Sequence, residues 1–124
     1  MFEIEKEFID NLMIYDIKGD LCKTNNFELE ISIKADENTS ILLNLENVEY
    51  IDASGLGLLV TIYKEKYDEQ NKMYLSNPNE LIIEILDIVK LREIIPMFKT
   101  NEEAIKHHKN ELRCNRATQK PIYL

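Results

Sequence analysis

Near the start of the chain, Phe2, Ile4 and Phe8 are spaced by acidic residues, and after Asp10-Asn11 a second strand-like run extends from Leu12 to Ile17. The pattern predicts a β-hairpin closed by Lys18-Gly19-Asp20. Residues 24–37 read two ways. Phe27, Leu29, Ile31 and Ile33 alternate as in a strand, whereas Phe27, Ile31 and Ala35 share a helical face that Thr24 or Asn25 would cap. The unbroken apolar run Ile41 to Leu45 predicts a central strand. Val48, Tyr50 and Ile51 then carry the chain to Asp52. From Leu56 the period becomes helical. Leu56, Leu59, Val60, Tyr63 and Tyr67 fall on one face, which predicts a helix packed through that face and ending at Gln70-Asn71.

Met73 to Leu75 reads as a short strand. In Asn77-Pro78-Asn79-Glu80, Asn77 is placed to cap, Pro78 to start a helix and Glu80 to complete a capping box. The helix so opened carries Ile82, Ile83, Ile85, Leu86 and Val89. Pro96 makes the run from Ile94 to Phe98 an edge strand at best. Thr100 to Glu103 repeats the capping pattern and opens a last helix through Ala104, Ile105, His108 and Leu112. Strands alternating with helices predict an α/β fold, a mixed sheet of about four or five strands with about four helices packed on it. One domain is expected over residues 1–112, with a polar, aperiodic and loosely held tail at 113–124.

Composition narrows the function. At 124 residues the chain suits one core-bearing domain, and 44% hydrophobic with 31% charged residues is a globular composition. A net charge of −8 disfavours nucleic acid and anionic membranes and favours a basic or mixed protein partner. Cys22 and Cys114 lack metal-ligand spacing and are expected to be reduced. The acidic, alternating start is not a signal peptide, and no apolar run approaches a bilayer's thickness, so a cytoplasmic protein is expected.

The chemistry centres on Ile51-Asp-Ala-Ser-Gly-Leu-Gly57, where a strand-like run hands over to a helix with Ser54 at the joint. A hydrolase elbow needs glycine two positions either side of the serine. Asp52 and Leu56 stand there instead, and the only histidines, His107 and His108, are adjacent in the last helix. Gly55-Leu56-Gly57 begins a dinucleotide fingerprint, but Val60 occupies its third glycine position and no acidic residue closes the next strand. Walker A is absent. Ser54 fits the N-cap of a helix starting at Gly55, but two glycines weaken a first turn and add nothing to a cap. They do leave the serine uncrowded, and a helix N-terminus tolerates phosphate. The residues thus present a serine that another protein's active site can reach and phosphorylate.

The stretch NLENVEYIDASGLGLLVTIYKEK, with MYLSNPNELIIEILDIVKLREIIPMFKTNEEAI downstream, strongly resembles the STAS domain of bacterial anti-sigma factor antagonists. The resemblance covers residues 2 to 112. Cys22 and Asn44 depart from it, standing where many members carry Asp. It implies a first helix near Asn25 to Ala35. It also implies that Ser54 is phosphorylated by a partner that is both an anti-sigma factor and a serine kinase. The unphosphorylated protein would bind that partner and free a sigma factor, and a serine phosphatase would reset it. Asp52, Ala53, Gly55, Leu56 and Gly57 would shape the loop the partner reads. No cofactor, metal or catalytic residue is implied. A phosphoserine adds about −1.5 to −2 charge. Beside Asp52 that would cost an interface several kcal/mol, enough to release a micromolar complex. On the predicted helix, Leu58 and Ile62 lie opposite the Leu56/Val60/Tyr63/Tyr67 face, so they are expected to be exposed as an apolar anchor for the partner. The alternative is a STAS scaffold or subunit of a stress-signalling complex or lipid transporter.

Overall fold

A computed structural model describes the backbone of residues 2–122 and the side chains through Leu112. The expected hairpin forms from β1 (Glu3–Ile9) and β2 (Leu12–Lys18), antiparallel, with Glu3 opposite Lys18 and Ile9 opposite Leu12. Asp10 and Asn11 make the turn at φ 52° and 64°. Short polar side chains tolerate that left-handed region best after glycine. The chain then runs through α1 (Asn26–Lys34), β3 (Ser40–Asn47), α2 (Ala53–Asp68), β4 (Met73–Ser76) and α3 (Glu80–Ile88). A 3₁₀ turn (Leu91–Glu93), β5 (Met97–Phe98) and α4 (Asn101–Ile122) follow.

The strands lie in the order β1-β2-β3-β4-β5, with every pair after the first parallel. Strand alternation divides the apolar residues between two faces. Tyr15, Ile17, Ile41, Leu43, Leu45, Met73 and Leu75 pack with buried residues of α1, α2 and α3 in the larger core. Leu12, Ile14, Leu42 and Tyr74 point the other way, towards Ala104 and Ile105 of α4. β1 is mostly exposed and carries Glu3, Glu5, Lys6 and Glu7, charges that discourage pairing at a free edge.

Within this expected architecture, several helical faces and caps differ from the sequence reading. The segment after Thr24 is helical, but it buries Leu29 and Ile33, while Phe27 and Ile31 are 68% and 50% exposed. α2 buries Gly55, Leu58, Leu59, Ile62 and Lys66. Leu58 and Ile62 are therefore core residues, at 7% and 1% exposure, and cannot form an exposed anchor. Leu56, Val60 and Tyr63 are only partly buried, and Tyr67 is 69% exposed. The reason is geometric. A 100° step per residue puts positions 55, 58, 59, 62 and 66 on one stripe, and that stripe ends in a lysine. α3 is capped by Asn79, whose side chain accepts from the Ile82 N–H at 2.8 Å, not by Asn77, which is left-handed at φ 53°. α4 runs past Leu112, so the expectation of a loosely held tail falls on residues whose side chains lie outside those described.

Candidate functional site

β3 ends at Asn47, and the chain reaches α2 through a joint clamped by the segment after β2. Gly19 N–H donates to the Asn47 carbonyl, Leu21 N–H to that of Tyr50, and Asp52 N–H returns a bond to the Leu21 carbonyl, each at 3.1 Å. Leu21 and Ile51 form an isolated parallel bridge and are both buried. The Leu21 carbonyl then lies against the first turn of α2. A Cβ at Gly55 would stand 2.3 Å from that oxygen and 2.9 Å from Ile51 Cγ2, so the close approach requires glycine. Gly57 is different: nothing lies within 4 Å of where its Cβ would be. Its glycine opens the surface beside Ser54.

The N-cap of α2 is Asp52, correcting the assignment of Ser54. Asp52 has extended backbone, and its Oδ1 accepts from the Gly55 N–H at 2.9 Å. Ser54 is the second helical residue. Its hydroxyl donates to the same Asp52 oxygen at 2.7 Å and accepts from Asn26 Nδ2 at 3.2 Å. The hydrogen bond from Ser54, reinforced by the Gly55 N–H and by backbone N–H groups of Ser54 and Lys23, holds the Asp52 carboxyl below its usual range. Asp52 is thus a carboxylate at neutral pH, fixed as an acceptor. Ala53, Ser54 and Gly57 are exposed, Asp52 and Leu56 partly buried, and Gly55 buried. The structure brings these six together around one accessible hydroxyl.

Asn26 was not among the residues the sequence singled out. It lies 28 positions from Ser54, and only the packing of α1 beside α2 joins them. The histidines lie elsewhere. His108 is buried under α4, with Nδ1 2.9 Å from the Tyr74 hydroxyl, and His107 pairs with Glu111. Burial holds His108 below its ordinary pKa. Both sit on the α4 face of the sheet, opposite the face that packs α2, so neither can serve Ser54 as a base. On that same face Asn44, 7% exposed, donates to Asp16 at 2.5 Å and accepts from Asn77 at 2.9 Å. Ser76 donates to Asn101 at 2.5 Å. This polar network ties the ends of β2, β3 and β4 to the start of α4. Among the described residues, no group of three His, Cys, Asp or Glu could hold a metal ion, and no helix is long and apolar enough to cross a membrane.

An α/β domain with an Asp-capped serine at the start of a helix, fed by a parallel central strand, defines the class. The chain belongs to the STAS domain family, whose model matches residues 3–104. An anti-sigma F factor antagonist from Paenibacillus polymyxa is 24% identical over 107 residues, which cover 83% of this chain and 92% of that protein. The anti-sigma factor antagonist SpoIIAA in its unphosphorylated form superposes with a TM-score of 0.74 at 21% identity, covering 89% of this chain and 97% of that one. SpoIIAA in its phosphorylated form gives 0.61 at 22% identity, over 86% and 98%. A sulfate transporter family protein from Wolinella succinogenes gives 0.76 at 19% identity, over 87% and 93%. At these identities the solved structures speak for the fold.

Proposed function

We propose that this chain is an anti-sigma factor antagonist, a binding module switched by phosphorylation of Ser54. Unmodified, it binds an anti-sigma factor that is also a serine kinase and so releases a sigma factor. Phosphorylation ends the complex, and a serine phosphatase restores it, all in the cytoplasm. The observation that carries this reading is the exposed Ser54 hydroxyl held against the Asp52 carboxylate at 2.7 Å. A neutral hydroxyl fits a close interface, whereas a phosphate of about −1.5 to −2 charge beside a carboxylate does not. The existence of SpoIIAA in both phosphorylated and unphosphorylated forms supports the same logic. Ala53, Ser54 and Gly57 form the outward surface the partner reads and Leu56 its flank. Asp52 and Gly55 shape it from beneath.

The test is the intact mass of the protein from its native cells, with peptide mapping, before and after phosphatase treatment. A phosphoryl group on Ser54 in a fraction of molecules is the expected result, and Ser54→Ala then serves as bait for the kinase. A single unmodified mass across growth conditions would overturn the switch and favour a scaffold or transporter-subunit role.

A further inference from the structure

The Ser54 hydroxyl is held by two groups of opposite character. Asp52 can only accept a hydrogen bond here, while the Asn26 amide nitrogen can only donate one. A hydroxyl satisfies both, giving its proton to Asp52 at 2.7 Å and a lone pair to Asn26 Nδ2 at 3.2 Å. A phosphoserine cannot. Its bridging oxygen has no proton for Asp52, and its other oxygens, largely ionised, are acceptors that repel a carboxylate. Asn26 brings two N–H donors to the same place. A second observation concerns the far end of that amide: Asn26 Oδ1 is buried without a hydrogen-bond partner. The side chain is therefore fixed with its donor end on the serine while its acceptor end goes unsatisfied, which satisfaction of the fold alone does not explain.

We propose that Asn26 is a positioning residue for Ser54 and the receiver of its phosphate. On modification the serine passes from Asp52 to Asn26, so an event at the start of α2 is felt by α1. This rests on the reading of Ser54 as the phosphorylated residue. The modification forms one bond from Oγ to the terminal phosphorus of a nucleoside triphosphate supplied by the kinase. It breaks that phosphorus's bond to the bridging oxygen, releases the nucleoside diphosphate, and sends the hydroxyl proton through Asp52 to water. Afterwards the charged group beside the phosphate is the Asp52 carboxylate, on the same joint as the serine. The Lys23 backbone N–H points at the Asp52 carboxylate.

The experiment uses the full chain with phosphoserine installed at position 54 during translation, so no kinase is needed. Phosphorus NMR follows the second ionisation of the phosphate, ordinarily near pH 6. Losing a donor disfavours the dianion, so Asn26→Ala should raise that midpoint by about half a unit. Asn26→Gln should restore part of the shift, and isosteric Asn26→Asp should raise the midpoint further. In the parent phosphoprotein, the Asn26 side-chain amide signals should move with the same midpoint. Equal midpoints in all variants, or an amide indifferent to the phosphate, would overturn the proposal. A merely structural role for Asn26 would leave the phosphorus titration unmoved. Because the phosphate is installed in translation, failure here counts against Asn26 alone, whereas absence of phosphate in native cells counts against the reading of Ser54.

Discussion

At the C-terminal end of α2 an amine is buried, and at the N-terminal end a hydroxyl is exposed. Lys66 is 1% exposed, with Nζ 3.1 Å from the Asp36 carbonyl and 3.2 Å from Glu69 Oε1. Glu69 also accepts from the Asn38 N–H and the Asn71 side chain. The Asp36 carboxylate takes the Tyr15 hydroxyl and, at 2.9 Å, Lys6. Burial pushes the Asp36 and Glu69 carboxyls up, but these bonds and the nearby lysines outweigh it and leave both below their ordinary range. The loop between α1 and β3 is thereby pinned to α2 and the hairpin. The other end has one carboxylate, two glycines and a hydroxyl open to solvent. Full charges, mutually satisfied, make a lock. A neutral group beside a single charge makes a place where adding charge has consequences.

The comparison is broken hardest in the middle of α2. Leu58→Glu would place a carboxylate in the core and should cost more than about 4 kcal/mol, unfolding much of the protein by circular dichroism. Had Leu58 been an exposed anchor, the fold would survive. At the locked end, Lys66→Ala strands Glu69 and the Asp36 carbonyl and should lower unfolding free energy in urea by about 3 kcal/mol, whereas Lys66→Met should lose clearly less. At the open end, Gly55→Ala drives a methyl into the Leu21 carbonyl and should cost about 2 kcal/mol by the same measurement.

Acid sharpens the contrast. Asp36 and Glu69 have folded pKa values below their unfolded ones, so their contribution is complete above about pH 4 and is lost as pH falls through the lower folded values. The urea midpoint should decline below about pH 4, and less steeply in Lys66→Met, which lacks the cation common to both carboxylates. The smallest effect has the opposite sign. Gly57→Ala meets no neighbour and removes backbone freedom, so it should raise the unfolding free energy in urea by about 0.5–1 kcal/mol while crowding the surface beside Ser54.

Element order was readable because strands and helices alternate with clear punctuation: Asp10-Asn11, Gln70-Asn71 and the asparagines before α3. What failed were faces and caps. The apolar residues of α2 nearly encircle it. One apolar stripe ends in Tyr63 and Tyr67, whose side chains lie partly or largely in solvent. The stripe that packs ends in Lys66, whose burial depends on Asp36 and Glu69 and so on a loop 30 positions away. At α2 and α3 two good capping residues stand two apart, Asp52 with Ser54 and Asn77 with Asn79, and only backbone geometry decides between them; at α1 neither Thr24 nor Asn25 makes a side-chain cap, and Asn25 donates instead to the Asp20 carbonyl. Ser54 itself was legible because its motif is local. Asn26 was not, because its contact is tertiary.

The strand order repeats the order of the sequence, and this bears on how the protein is made. Each new strand finds its neighbour already placed: β2 folds back on β1, and β3, β4 and β5 each join the edge the previous strand left. No strand waits for a partner encoded further downstream. The sheet can therefore be laid down from one edge to the other as the chain leaves the ribosome, with the joint around Ser54 assembled well before α4 emerges.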